Sequence, residues 1–182
     1  IKAFREKGLF YFYDTISGYG CEYGLTTSEP SHHRLLFANL VKRSRYFIVN
    51  PGKFDEPGVM DSEEIIGARY VEGAAAGALM LGKEPRNPEF RTLFSWPDAV
   101  IDIVSEGGEI LKILTEEKNN ATRWDAVRKN NVLDSLLHHD WVYRWEEIIK
   151  LAELEPAPKL LQRKEQLARL VAYIEKNGLT RP

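Results

Sequence analysis

Residues 64–82 read Glu64-Ile65-Ile66-Gly67-Ala68-Arg69-Tyr70-Val71-Glu72-Gly73-Ala74-Ala75-Ala76-Gly77-Ala78-Leu79-Met80-Leu81-Gly82. The stretch from Gly67 to Gly77 reads as a helix whose small residues let it pack tightly on a sheet. Ala78-Leu79-Met80-Leu81 is a short apolar run closed by Gly82, which reads as a strand. Upstream, Tyr46-Phe47-Ile48-Val49 is another strand, stopped by Asn50-Pro51-Gly52. Strand, helix and strand in that order make a βαβ unit and predict a parallel sheet.

Working outward, the same alternation continues. Leu9-Phe10-Tyr11-Phe12-Tyr13 is a continuous aromatic run, as in a strand buried on both faces. A Gly-rich loop with Gly18, Gly20 and Gly24 follows, and the apolar residues between Ser31 and Ser44 mark a helix. Asn87-Pro88-Glu89 opens a short helix over 88–94, with proline where a first turn tolerates it. Val100-Ile101-Asp102-Ile103-Val104 reads as a further strand. Beyond Gly107-Gly108 the pattern is helical almost to the end, interrupted at Pro156 and Pro158. The expectation is an α/β fold, a Rossmann-like parallel sheet with flanking helices, and a helical C-terminal third.

The length of 182 residues and an apolar content of 43% support one full-sized core and exclude two large domains. Lys and Arg number 25 against 27 Asp and Glu, so the net charge is −2 and no bulk positive charge advertises a nucleic acid. A lone cysteine, Cys21, excludes an internal disulfide framework and predicts a reducing, cytoplasmic location. No apolar run approaches the ~20 residues of a membrane span, which leaves only peripheral membrane association open. Residues 1–8 lack the apolar core of a signal peptide. The chain begins with Ile rather than Met, which is expected of a fragment or a processed product.

The chemistry-bearing feature is the pair Glu64 and Glu72, with seven residues between them. Alone, such a spacing means little. Its context is specific: a strand and a proline-containing loop precede it, Gly67 follows the first acid by three positions, and Gly73–Gly77 follows the second. This resembles the E-x7-E region of GT-B glycosyltransferases, in particular the large retaining group whose donor domain reads approximately E-x-F-G-x4-E-A-x-A-x-G. Glu64 matches the first acid, Ile66 the usual Phe, Gly67 the glycine and Glu72 the second acid. Tyr46–Pro51, Asp98–Ile103 and Val132–Trp145 resemble flanking elements of the same family, so the likeness extends over about residues 9–153.

The resemblance implies the C-terminal, nucleotide-sugar-binding half of a GT-B fold. Residues 1–153 would form the donor-binding domain, lacking its first βα unit, and 154–182 a helical extension. Glu64 would be the catalytic-site acid and would hold the transferred sugar, and Glu72 would hold the nucleotide ribose. A helix beginning near Gly67 would turn the N–H groups of Gly67, Ala68 and Arg69 toward the diphosphate, where the dipole stabilises negative charge. Gly67 would let phosphate approach the backbone. With both acids along one helix axis, their separation would be at most ~12 Å, enough to grip opposite sugars of an extended donor. The donor is a substrate; no cofactor and no metal are implied. The acceptor would be recognised by a missing N-terminal domain, so this chain would be half of the active enzyme.

The match departs from the family in two places. The loop between Pro51 and Glu64 is longer than usual, with Lys53, Asp55, Glu56 and Asp61. The Arg and Lys that clamp the diphosphate in the family have no convincing counterpart; Arg5 and Lys7 read as the end of a helix.

Other signals are weaker. Tyr23 stands where a dinucleotide fingerprint needs glycine. The pairs His32-His33 and His138-His139 project in different directions on a helix and make poor metal sites. Lys42-Arg43-Ser44-Arg45 reads as a helix C-terminus. Trp124, Trp141 and Trp145 read as core. Two other functions stay open: a GT-B sugar-nucleotide epimerase or phosphorylase, and a non-catalytic Rossmann-like binding module.

Overall fold

The computed structural model describes residues 8, 30–52, 64–103 and 108–179. The expected strand at 9–13, the Gly-rich loop, Arg5, Lys7, Cys21 and the charged loop residues between Gly52 and Glu64 lie outside the described residues.

Helix α1 (Pro30–Arg43) ends in Lys42 and Arg43, where cations complement the carbonyl end of the dipole. It leads into β1 (Tyr46–Val49). Helix α2 (Ala68–Ala75) follows, then β2 (Leu79–Gly82), the short α3 (Pro88–Leu93) and β3 (Ile101–Asp102). The strands form a parallel sheet in the order β1-β2-β3, with Tyr46 opposite Leu79, Val49 opposite Gly82 and Leu81 opposite Ile101. All four residues of β2 are buried, as expected of a central strand covered on both faces. Strand β3 is shorter than the five-residue run expected at 100–104, although Ile103 N–H still donates to Gly82 O at 3.0 Å.

Glycine lets α2 lie close to this sheet. A Cβ on Gly73 would stand 2.7 Å from Phe47 Cδ1 and 2.9 Å from Met80 Sδ, so any larger residue forces the layers apart. The turn into β2 needs Gly77, whose φ of +68° lies in the left-handed region. Its carbonyl accepts a hydrogen bond from Arg128 Nε at 2.8 Å.

The core on one side joins Val49, Tyr70, Ala74, Met80, Phe90, Phe94 and Trp96. Its rings interlock: Phe90 and Phe94 stack with centroids 4.8 Å apart, and Tyr70 meets Phe90 edge-on at 5.3 Å. A second cluster packs Trp124 and Val127 against Leu79.

The C-terminal third is helical, as expected: α4 (Gly108–Asn119), α5 (Ala121–Asp134), α6 (Trp141–Leu151) and α7 (Pro158–Asn177). One π-helical turn, Ser135–His139, continues α5 and packs against α2 and α7. Asn131 on α5 is fully buried and anchors this layer to the sheet. It accepts from Trp96 Nε1 at 2.6 Å and donates to Ala78 O at 2.8 Å.

One expectation about the core is corrected. Trp124 is buried, but Trp141 and Trp145 are 73% and 55% exposed. These two lie one turn apart on the outward face of α6, whereas Val142 is the buried residue of that helix.

Candidate functional site

Three chain segments meet at the carboxyl end of the sheet. The segment after β1 is tied to the segment before α2 by an antiparallel bridge, with Gly52 N–H donating to Ile65 O at 2.8 Å. The segment after β2 joins them through Glu64 N–H, which donates to Arg86 O at 3.4 Å, and Asn87 Nδ2, which donates to Glu64 O at 3.2 Å. Tyr70 on α2 adds a hydrogen bond to Lys83 O at 2.6 Å. Ligands of open parallel sheets bind outside this carboxyl edge, where loops diverge and helix N-termini converge.

Glu64 sits in the middle of the junction and is 1% exposed. Its Oε1 accepts from Lys83 Nζ at 2.6 Å and from Arg86 Nε at 3.3 Å, and its Oε2 accepts from Arg86 N–H at 2.9 Å. Burial alone would push its carboxyl group up. The bond from Lys83, the Arg86 N–H and the two positive charges outweigh that and hold it below the usual carboxylate value. Lys83 and Arg86 are themselves 49% and 72% exposed, and Arg86 Nη2 also lies 3.3 Å from Glu64 Oε1.

Helix α2 begins at Ala68, with Gly67 as its N-cap in extended conformation and no side-chain cap. The first-turn N–H groups of Ala68 and Arg69 have no preceding helical carbonyl to bond. A Cβ placed on Gly67 would make ordinary van der Waals contact with Gly52 N at 3.8 Å and Asn50 O at 3.9 Å, with no clash. Arg69 lies over the Phe37 ring at 4.5 Å and reaches the Glu72 carboxylate at 3.5 Å. Both Arg69 and Glu72 are exposed.

The expected site residues are therefore divided. Gly67, Ala68, Arg69 and Glu72 share the first turns of α2. Glu64 stands before that helix in an extended segment, as a helix starting near Gly67 requires, and its carboxylate is paired with cations and buried. The reason is a burial preference: a carboxylate at a crowded strand edge is tolerated only when fully paired. Sequence reasoning missed Lys83 and Arg86. Their one readable signal was their place immediately beyond β2 at the ligand-binding edge of a parallel sheet.

Two surface depressions occur elsewhere. One of about 660 Å³ is lined by His138, Tyr143, Arg144, Glu146, Glu147 and Lys150, and one of about 120 Å³ by Thr92, Leu93, Ser95, Trp96, His138 and His139. Neither includes a residue of the 64–72 segment. Among the described residues no group of three His, Cys, Asp or Glu side chains could hold a metal ion, and no helix is long and apolar enough to cross a membrane.

No curated protein and no solved structure matches the chain. The model of a glycosyl transferase-like family matches residues 26–150. That match begins just before α1, ends within the last turn of α6 and includes the three described strands and the 64–86 junction. Covering more than half of the sequence on this α/β frame, it shows that the chain belongs to the glycosyl transferase-like family.

Proposed function

We propose that this chain is the nucleotide-sugar-binding domain of a GT-B glycosyltransferase of the retaining E-x7-E group, moving a sugar from a nucleoside diphosphate to an acceptor. The observation that carries the reading is the uncapped N-terminus of α2 at the carboxyl edge of a parallel sheet, directly after Gly67. In this reading the N–H groups of Gly67, Ala68 and Arg69 receive the diphosphate, and its growing negative charge as the glycosyl bond breaks is stabilised by the dipole. Glu72 receives the ribose hydroxyls. Glu64 orders the sugar end of the site. The donor is a substrate, and no bound metal or cofactor enters the reaction.

Residues 1–153 form the donor domain in this scheme and 154–182 a helical extension. Acceptor recognition belongs to a second domain across the open edge, so catalysis needs both halves.

The test is calorimetry of the chain with nucleoside diphosphates and their sugar derivatives. Glu72→Ala should weaken binding by about 1.5–3 kcal/mol, the range for a lost hydrogen bond to a charged group. It should barely alter stability, because the exposed Arg69–Glu72 pair contributes less than about 1 kcal/mol. Unchanged affinity in a folded Glu72→Ala variant would remove Glu72 from the site.

A further inference from the structure

Helix α6 turns its apolar side away from the protein. Trp141, Trp145 and Ile148 follow one another at spacings of four and three, so they form one stripe, and Leu151 extends it by a further turn. All four, and Leu154 just beyond the helix, are more than half exposed. The polar side of the same helix is the one that meets the rest of the fold. Glu146 pairs with Lys164 and the N-cap Asp140 with Arg163, both on α7, while Tyr143, Glu146 and Lys150 line the depression of about 660 Å³. Surface helices ordinarily direct their apolar stripe at the core.

The size of the patch and its charges select an occupant. The two indoles present roughly 300 Å², and the three aliphatic side chains bring the patch to about 600 Å², the upper end for a lone subunit. Two such patches face to face bury about 1,200 Å², the lower bound of specific protein interfaces. Residues 140–155 hold two cations, Arg144 and Lys150, against five acids, Asp140, Glu146, Glu147, Glu153 and Glu155, a net of −3. Helices that lie on anionic lipid carry Lys and Arg along their polar side, so this composition disfavours a membrane. It fits a second copy of the chain. Arg144 and Glu147 stand one turn apart on the same flank of the stripe, and Arg144 Nη1 is held by the His138 carbonyl at 2.6 Å. A two-fold axis passing near Glu146 sets a second α6 antiparallel and brings Arg144 of each copy beside Glu147 of the other, giving two identical ion pairs at the rim. The same register carries Glu153 and Glu155 to the amino end of the other α6, where the positive end of the dipole and Arg163 lie.

We propose that the outward face of α6, formed by Trp141, Trp145, Ile148 and Leu151 with Leu154, is a self-association surface on which a second copy of this chain packs antiparallel, with Arg144 and Glu147 setting the register. An interface at the lower bound of area gives a dimer in the micromolar range that dissociates on dilution. The surface is separate from the 64–86 junction and does not rest on the donor-site reading.

Sedimentation velocity of the full chain from dilute to concentrated solution, with tryptophan fluorescence at each concentration, tests this surface. Wild type should pass from monomer to dimer, and its emission should shift to the blue as the exposed indoles lose water. Trp145→Ser, Glu147→Arg and Arg144→Glu should each weaken association by about tenfold or more, every change counting twice across the two-fold axis. Thermal melts in dilute solution show that each variant folds. Mixing folded Glu147→Arg with folded Arg144→Glu should restore the dimer, because the mixed pair again sets unlike charges opposite one another at both rims. A wild type that is monomeric at every concentration would overturn the proposal, as would a dimer indifferent to Trp145→Ser. A mixture no more associated than either variant alone would overturn the antiparallel pairing. A blue shift that needs phosphatidylcholine or phosphatidylglycerol vesicles, without dimer formation, would assign the face to a lipid surface and exclude the second copy.

Discussion

The ammonium of Lys83 stands 2.6 Å from Oε1 of Glu64, a carboxylate only 1% exposed, and joins the end of β2 to the entry of α2 across nineteen positions of sequence. The bond ties the two loops together at one corner of the sheet. Removing one partner of so enclosed a carboxylate leaves a charge poorly solvated, so the pairing contributes to the stability of this corner.

Glu64→Gln should destabilise the protein by about 2–3 kcal/mol near neutral pH, since charged hydrogen bonds from Lys83 and Arg86 are lost. The sign of the pH effect follows from the depressed carboxyl group. Its contribution is complete above the unfolded value near 4.5 and disappears as pH falls through the lower folded value. Thermal melts of both proteins from pH 7 to pH 3 should converge on acidification. A gap that stays constant over that range would contradict the pairing.

Gly73 and Gly67 should respond oppositely to the same added methyl group. Gly73→Ala places Cβ 2.7 Å from Phe47 Cδ1, and overpacking of this kind costs about 1–3 kcal/mol. Gly67→Ala meets its neighbours only at ordinary contact distance and should cost at most about 1 kcal/mol, as an N-cap change. Its effect should appear in nucleotide affinity instead. Urea titrations paired with calorimetry measure both, and equal destabilisation by the two changes would count against this packing.

Asn131→Leu should cost about 2–4 kcal/mol, because Trp96 Nε1 and the Ala78 carbonyl would both be left buried without partners. Equilibrium urea unfolding is the measurement. A change below about 0.5 kcal/mol would mean that neither bond contributes.

His139→Phe should reduce acid sensitivity. The His139 ring packs on Phe94 at 5.1 Å, and neither ring nitrogen has a hydrogen-bond partner, although the Leu93 backbone lies close enough to act on the ring. Burial and then the positive charges of Arg144 and His138 lower its proton affinity, opposed by the Leu93 backbone and, less, by Asp134. A histidine lowered in the folded state stabilises fully above its unfolded value near 6.5, and that stability is lost as pH falls toward the folded value. Wild type should therefore lose melting temperature between pH 7.5 and 5.5, and His139→Phe should lose less. Parallel losses would show that other groups set the acid response.

Much of the fold was legible locally. Apolar runs at 46–49 and 79–82 and the Gly/Ala helix between them specify a parallel βαβ unit without knowledge of distant contacts. Asn87-Pro88 and Asp140 set helix starts by bonding backbone N–H groups within two positions. The tryptophans were less legible. Periodicity marks an apolar stripe on α6 but does not say whether a neighbour covers it, and Trp141 and Trp145 face outward.

The sequence by itself determined the parallel α/β frame, the E-x7-E spacing and the glycine that opens α2, because each depends on residues close in the chain. Tertiary structure alone decided what surrounds Glu64. Arg86 lies twenty-two positions away and Asn131 bonds across fifty-three, and such partners are chosen by how strands and helices dock. A carboxylate's burial and charge environment follow from that docking. The chain therefore states which acids stand at the sheet's edge, and only its folding shows that Glu64 is enclosed and paired with Lys83 and Arg86 while Glu72 is exposed.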